Sequence, residues 1–517
     1  MRWTRRFYPE RAFRVKANDS RILRNRKRKL ARRLERKPYE DQPRPMFAAR
    51  NIQYEMAGRT RAIDCGGIGA FHLLAHNVGL IRQIDRRLHL LKQHKPYHES
   101  DHVLNIAYNT LTGGTCLDDI ELRRGDEGYI DALGAERIPD PTTAGDFTRR
   151  FSEPDVVELM EAANAIRPKI WRERLGASER ALAILDVDGV VAPTTGECKQ
   201  GMGLSYKGVW GYHPLVVSLA NTMEPLYLVN RPGNRPSHEG AAEWIDMGVA
   251  LVRRAFRGVC LRGDTDFALT AHFDRWTAGG VGFAFGIDAM PKLVGMAERL
   301  QETAWKPLRR RLKRAPTGPS RARPENVKQR IVEEKGYKDI RLESEWVAEF
   351  RYRPGRCRRA YRVVALKKDL SVRQGQQSLF SDIRYFFYIT NLEGMPAEEL
   401  VLFCNERCNQ ENLIEQLKNG LNALRMPVGE LVSNWAYMVM AGLAWTLKAW
   451  FALQARLTAD REELLKMEFR RFLNYLVRVP CQIVKTGRRI VYRVLGYNGW
   501  TRTFMRTFDR IRALSFT

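Results

Sequence analysis

The chain has 517 residues, 44% of them hydrophobic, and a net charge of +28 with a pI near 10.0. That length allows about three domains with ordinary cores, and the charge favours a polyanionic partner such as DNA or RNA over a small acidic metabolite. Eight cysteines without a CxxC pair argue against a zinc ribbon or a disulfide framework and fit a reduced, intracellular compartment.

In chain order, residues 1–44 form a basic N-terminal arm containing RNRKRKLARRLERK. The arm is charged from its first residues, unlike a signal peptide, and is expected to order only on nucleic acid. Residues 45–175 carry apolar residues at helical spacing, as in IGAFHLLAHNVGLIRQIDRRLHLL and DVVELMEAANAIRPKIW, which predicts a compact helical domain suited to binding DNA. His94, His98 and His102 recur every four residues, but Pro96 interrupts them, and a solvated polar loop is expected there in preference to a metal site.

At 176–300 the texture changes. ALAILDVDGVV has strand composition, and GYHPLVVSLAN and EPLYLVNRPGN follow it as further strand candidates after the turn-rich APTTGECKQGMG. A helix at 238–256, the strand GVCLRGD, a helix near 268–278 and the strand VGFAFGI complete a mixed sheet, because a purely parallel one needs a crossover after each strand.

Residues 301–395 open with the basic, Pro-rich KPLRRRLKRAPTGPSRARP and continue with an alternating run in which Ile340, Leu342, Trp346, Ala348, Phe350 and Tyr352 share one face. YRVVALK and IRYFFYITNL follow in the same style, so this part reads as a β-rich insertion. Trp346 is read as a sheet-face residue in preference to a base-stacking wedge. Residues 396–456 hold the helical stretch RCNQENLIEQLK and the apolar WAYMVMAGLAWTL, which ends at Lys448. The latter is too short to span a membrane and reads as a buried helix, with no membrane partner. Residues 457–517 form a basic helical region rich in Arg and aromatic residues.

Two pairs of acids stand at strand ends, Asp186 with Asp188 and Asp264 with Asp266. Carboxylates at the ends of neighbouring strands suit a divalent cation, and Mg2+ takes oxygen ligands with few carboxylates and several waters. On a helix, Arg407, Glu411 and Lys418 fall within an arc of roughly 40°. They share the stripe of Leu400, Ile414 and Leu421, whereas Asn405, Asn409, Asn412 and Gln416 lie on another side. Alone, Arg407 and Glu411 read as an i,i+4 surface pair. Cys404 and Cys408 are close enough to touch on such a helix, but two thiols make a poor metal site.

Two family resemblances rest on these residues. ILDVDGVV and RGDTDF resemble the motifs of haloacid-dehalogenase-type phosphatases, which implies Asp186 as nucleophile and Asp188 as acid/base. That family has a helix after its first strand and a phosphate-binding Lys; here two strands follow, and only Arg253 and Arg254 approach the Lys position. The wider resemblance, over roughly 180–455, is to the DDE transposases of bacterial insertion sequences marked by Y-x2-R-x3-E-x6-K. Arg407, Glu411 and Lys418 match that spacing, with Cys404 at the Tyr position. LDVDG and RGDTDF match the two Asp regions, with Gly189 where the family usually has Ser or Thr. The stretch KGVWGYHPLVVSLAN, LYLVNRPGN and SHEG resembles one branch.

The transposase resemblance implies an α/β fold: a ribonuclease-H-like mixed-sheet core with a β-rich insertion, flanked by helical basic regions. It implies Asp188, Asp264 and Glu411 as catalytic and metal-binding residues for two Mg2+ ions, with Mn2+ as a substitute and with Asp186 and Asp266 as close rivals in register. Arg407 and Lys418 would contact DNA phosphates. The implied reaction is cleavage at transposon ends and strand transfer into target DNA. The implied assembly is a homodimer holding terminal inverted repeats and target DNA in the bacterial cytoplasm. A basic nucleic-acid-binding protein without chemistry is the remaining alternative.

Overall fold

The apolar run ALAILDVDG forms strand β1, Leu182–Gly189, whose central residues are buried, as an interior strand with few polar positions must be. The computed structural model describes residues 17–35, 60–205, 207–310, 338–374, 377–487 and 489–515, with isolated positions at 49, 52–54, 58 and 335. The chain divides into two compact units: Arg167–Asn419 with Ala423–Val439, and the residues up to Ile166 with Gly420–Asn422 and Met440–Thr517.

In the first of these, β1 is followed by a hairpin of β2 (Leu215–Leu219) and β3 (Glu224–Val229). Helix α1 (Ala241–Arg253) crosses to β4 (Gly258–Gly263), and helix α2 (Thr270–Ala278) crosses to β5 (Val281–Ile287). The spatial order is β3-β2-β1-β4-β5. β2 is antiparallel to β1 and β3, while β1, β4 and β5 run parallel. The succession of strand and helix signals predicts a mixed sheet, and three strands in an antiparallel meander followed by two helical crossovers is the ribonuclease-H-like arrangement that the transposase resemblance implies.

The β-rich insertion extends the same sheet. β6 (Lys338–Tyr352), β7 (Tyr361–Gln374) and β8 (Gln377–Thr390) form an antiparallel meander, and β8 pairs with the otherwise free edge of β5. With the short edge strand Lys306–Pro307 the sheet has nine strands among the described residues. The single face expected for Ile340 through Tyr352 is broken by a bulge: Leu342 pairs with Leu370, but Ser344 pairs with Asp369. One extra residue turns Leu342 to the face opposite Trp346. Trp346 itself is 37% exposed, and its ring N–H donates to Ser344 Oγ at 3.1 Å. Most of the Pro- and Arg-rich stretch before β6, residues 311–334, lies outside the described residues.

After β8 come helix α3 (Ala397–Asn405) and helix α4 (Cys408–Glu415), then a π-helical turn, Gln416–Gly420. Helix α5 spans Leu431–Leu453. At 23 residues it is long and apolar enough to cross a membrane, yet it is buried within the protein throughout its most apolar window. The buried helix expected there therefore runs past Lys448, whose ammonium is fully buried over the Trp445 ring, 3.8 Å from its centroid, and donates to Leu465 O at 2.8 Å.

The other unit joins the two ends of the chain, read from sequence as separate regions. Helices Ile68–Asn77, Leu80–Arg87, Glu99–Leu111 and Glu153–Asn164 belong to it, as does the C-terminal helix Thr501–Arg512. The region 457–517 is not wholly helical: Cys481–Thr486 and Arg489–Val494 form a hairpin that pairs with Arg61–Ile63. Within the basic arm, Ala17–Leu34 is a helix, as its Arg, Lys, Leu and Ala content favours, and Arg26 donates to Val494 O at 2.8 Å. The rest of the arm lies outside the described residues apart from Glu35. His94 and His98 are exposed and stacked, with His94 3.0 Å from the buried Glu99. His102 departs from the solvated loop expected of it: it lies one turn inside Glu99–Leu111, 4% exposed and stacked on Phe147.

Candidate active site

Parallel pairing of β1 with β4 sets Asp186 opposite Arg262. The same offset carried two residues further sets Asp188 opposite Asp264, and alternation puts both pairs on one face. Each pair meets a different fate. Asp186 is 1% exposed and takes a two-pronged bond from Arg262, with Nε–Oδ1 at 2.6 Å and Nη2–Oδ2 at 2.8 Å. The remaining arm of Arg262 donates to Phe403 O at 2.7 Å, near the C-terminal end of α3. Both oxygens of Asp186 are thus committed to holding β1, β4 and α3 together.

Asp188 and Asp264, by contrast, face each other as like charges, and the cation comes from the helix side. Arg407 Nη1 lies 2.8 Å from Asp188 Oδ2 and 4.0 Å from Asp264 Oδ2. Its Nη2 lies 3.1 Å from Glu411 Oε1. One guanidinium therefore touches or approaches three carboxylates, whose side chains are 13%, 35% and 56% exposed in that order. Burial, then the Asp264 and Glu411 charges, push the Asp188 carboxyl up to about 7, against the pull of Arg407 and of the Gly189 N–H. Asp264 is raised as well, chiefly by burial. Asp264 also caps the 3-10 turn Thr265–Phe267 by accepting from the Asp266 N–H at 3.1 Å, and Asp266 is exposed.

The helix bearing Glu411 is not continuous with α3. A turn at Glu406–Arg407 separates them, closed by Arg407 N to Cys404 O and Gln410 N to Arg407 O bonds of 3.2 and 2.8 Å. Gln410, 1% exposed, fastens α4 to the sheet: it accepts from Ser218 Oγ and donates to Val216 O on β2. Arg407 and Glu411 keep their i,i+4 contact across this start. Lys418 does not continue their line, because it lies in the π-helical turn, where α-helical spacing no longer applies, and it makes no ion pair among the described residues. Cys404 is buried in the cluster of Leu400, Val401, Val364 and Leu366, a place for a small apolar side chain.

Gly189 follows Asp188 where the resembling family has Ser or Thr. A Cβ there would lie 3.0 Å from His213 Nε2 and 3.2 Å from Ser237, so a side chain here fits only if those two side chains give way by a few tenths of an ångström. In the RPGN turn, a Cβ on Gly233 would lie 2.0 Å from Gly211 O, and this contact seats the turn against the small sheet of Ala192–Pro193, Gly203–Leu204 and Trp210–Tyr212.

The donor set suits a hard divalent cation. The three carboxylates offer oxygen ligands only, and around the guanidinium their oxygens do not all lie within 4.8 Å of one another. Asp188, Asp264 and Glu411 are the residues that would hold such an ion, with Arg407 marking the place where positive charge is stabilised. The sequence singled out these four among its candidates, and the structure brings them near one another. Sequence reasoning missed Arg262 and Gln410, although the parallel between DVD and RGD, two residues apart on paired strands, was a usable signal for the first.

A ribonuclease-H-like sheet with an acidic cluster where β1 and β4 end defines the class. The chain belongs to the family described as transposase DDE domain group 1, whose pattern matches residues 44–516. Among solved structures it is similar to the piggyBac transposase in a synaptic complex with hairpin DNA, at 8% identity and a TM-score of 0.34, over 80% of this chain and 82% of that one. No curated protein matches the sequence.

Proposed function

We propose that the chain is a DNA transposase of the bacterial insertion-sequence type. It cleaves DNA at the ends of its element and transfers the freed strand into target DNA, with Asp188, Asp264 and Glu411 as the acidic triad. The observation that carries this reading is the approach of three carboxylates to Arg407, from β1, from the residue just after β4, and from α4 beside a ribonuclease-H-like sheet. Bound between them, two Mg2+ ions, or Mn2+ in their place, would activate the attacking oxygen and stabilise the leaving one. The protein's own share is positional. The β1–β4 register sets the spacing of the two Asp residues, and Gln410 holds the helix that presents Glu411. Arg407 and Lys418 are the cations for phosphates beside the scissile bond, Arg as a fork and Lys as a point charge.

The remaining basic charge would hold duplex phosphates at terminal inverted repeats and in the target. Binding should therefore weaken log-linearly with salt. A homodimer bridging two ends, in the bacterial cytoplasm, completes the proposal. The phosphohydrolase alternative has less support, because it needs Asp186 as a nucleophile and both of its oxygens are bonded to Arg262.

The test is Mg2+-dependent nicking of DNA carrying the terminal repeats that flank the coding sequence. Glu411→Gln should abolish nicking while leaving repeat binding at low salt intact. Undiminished cleavage by Glu411→Gln would refute the assignment.

A further inference from the structure

Three carboxylates drawn together without a counter-ion would repel one another, and the described residues bring a single cation to all three. Lys418 makes no ion pair among the described residues. Arg262 is committed to Asp186 and to Phe403 O. Arg407 reaches Asp188 and Glu411 with different prongs of its fork, at 2.8 and 3.1 Å, and stands 4.0 Å from Asp264. It is placed to do so by the break between α3 and α4, which puts residue 407 at the very start of the new helix.

We infer that Arg407 is a stand-in cation: it positions Asp188, Asp264 and Glu411 before divalent ions enter, and it is displaced when they do. The inference rests on the metal-ligand reading proposed above. A hard divalent ion draws oxygen ligands to about 2.0–2.1 Å for Mg2+. A guanidinium hydrogen-bonded to two of the same carboxylates occupies the ground between them. Volume and like charge both forbid the two cations from sharing that ground. The displaced fork stays tethered one helical turn from Glu411, with its donors free for a phosphate. Metal loading and the release of a phosphate-binding arginine are thereby one event. The arginine keeps the carboxylates gathered while the site is empty, and it delays phosphate recruitment until the ions are in place.

The displacement predicts an effect that a purely phosphate-binding arginine would not produce. Calorimetric titration of the full chain, freed of metal and without DNA, with Mn2+ at pH 8 compares wild type, Arg407→Ala, Arg407→Lys and Asp188→Ala. Arg407→Ala should bind Mn2+ about tenfold more tightly than wild type, because no hydrogen-bonded cation has to leave; tenfold corresponds to about 1.4 kcal/mol. Its metal-free thermal midpoint should be lower than that of wild type, and the upward shift on adding Mn2+ larger. Arg407→Lys should fall between the two, since a lysine restores the charge without the fork. Equal or weaker Mn2+ affinity in Arg407→Ala, with binding lost in Asp188→Ala, overturns the inference and leaves the metal-ligand reading standing. Binding absent from wild type, or surviving in Asp188→Ala, overturns the reading itself and the inference with it. Should Arg407→Ala fail to fold without metal, Arg407→Lys carries the comparison alone, with tighter binding than wild type as its expected sign.

Discussion

Asp188 gives the sharpest quantitative expectation. Its carboxyl titrates near 7 in the folded protein against 3.8 for a free aspartate, so the folded state holds the proton more tightly than the unfolded state. Below pH 3.8 both states are protonated and the group is neutral in its effect. As pH rises from 3.8 towards 7 the unfolded chain ionises first and stability falls, and above 7 the loss is complete. At 1.36 kcal/mol per pH unit the full interval amounts to about 4 kcal/mol. Relaxation and water penetration reduce such penalties, and about 2 kcal/mol is the expected working value for a side chain that is 13% exposed. Asp188→Asn mimics the protonated form at every pH. In metal-free buffer at pH 8 it should raise the thermal midpoint of the unit that contains it, at roughly 2–4 °C per kcal/mol. At pH 5 only about a third of the gain should remain, because most of the interval then lies above the working pH. Differential scanning calorimetry of both proteins at the two pH values measures it. A variant less stable than wild type at pH 8, or a difference that does not shrink on acidification, would refute the idea that burial and like charges outweigh the bond to Arg407.

The sealed neighbour, whose carboxyl is also raised by burial against the bond from Arg262, is tested through its partner. Arg262→Met should cost about 3–5 kcal/mol in urea unfolding by leaving Asp186 buried without its partner, and adding Asp186→Leu should recover much of that loss. Gly189→Thr should lower stability by about 1–3 kcal/mol through overpacking against His213 and Ser237, measurable as a lower urea midpoint with an unchanged slope.

The mixed sheet was legible because its strands are short apolar runs bounded by turn residues, with helical periodicity only after the third. Asp188 and Asp264 stood out locally as strand-end carboxylates, and Arg407 and Glu411 as an i,i+4 pair; only the transposase resemblance grouped them as one site, because no local pattern brings a helix to two strands. Other features were not legible. The bulge at Leu342–Ser344 leaves no composition cue, so the alternation of β6 looked continuous. The π-helical turn at 416–420 preserves helical composition while changing the pitch, which misplaced Lys418. The choice between Asp186 and Asp188 depends on what stands across the strand pair, and that requires the register of β1 against β4. The pairing of Arg61–Ile63 with the C-terminal hairpin is a contact across nearly the whole chain, beyond the reach of any local pattern.

That last pairing has a consequence for how the protein comes into being. Ile63 meets Cys481, about 420 residues later. At 5–20 residues per second the first strand waits roughly 20–80 s on the ribosome for its partner. The segment that holds the nine-stranded sheet is synthesised in the interval, between two parts of the other unit. A chain cut short before the hairpin would carry every acidic residue of the site and still leave its earliest strand unpaired. Completeness of synthesis is thereby written into the architecture as a condition for the unit at the chain's ends.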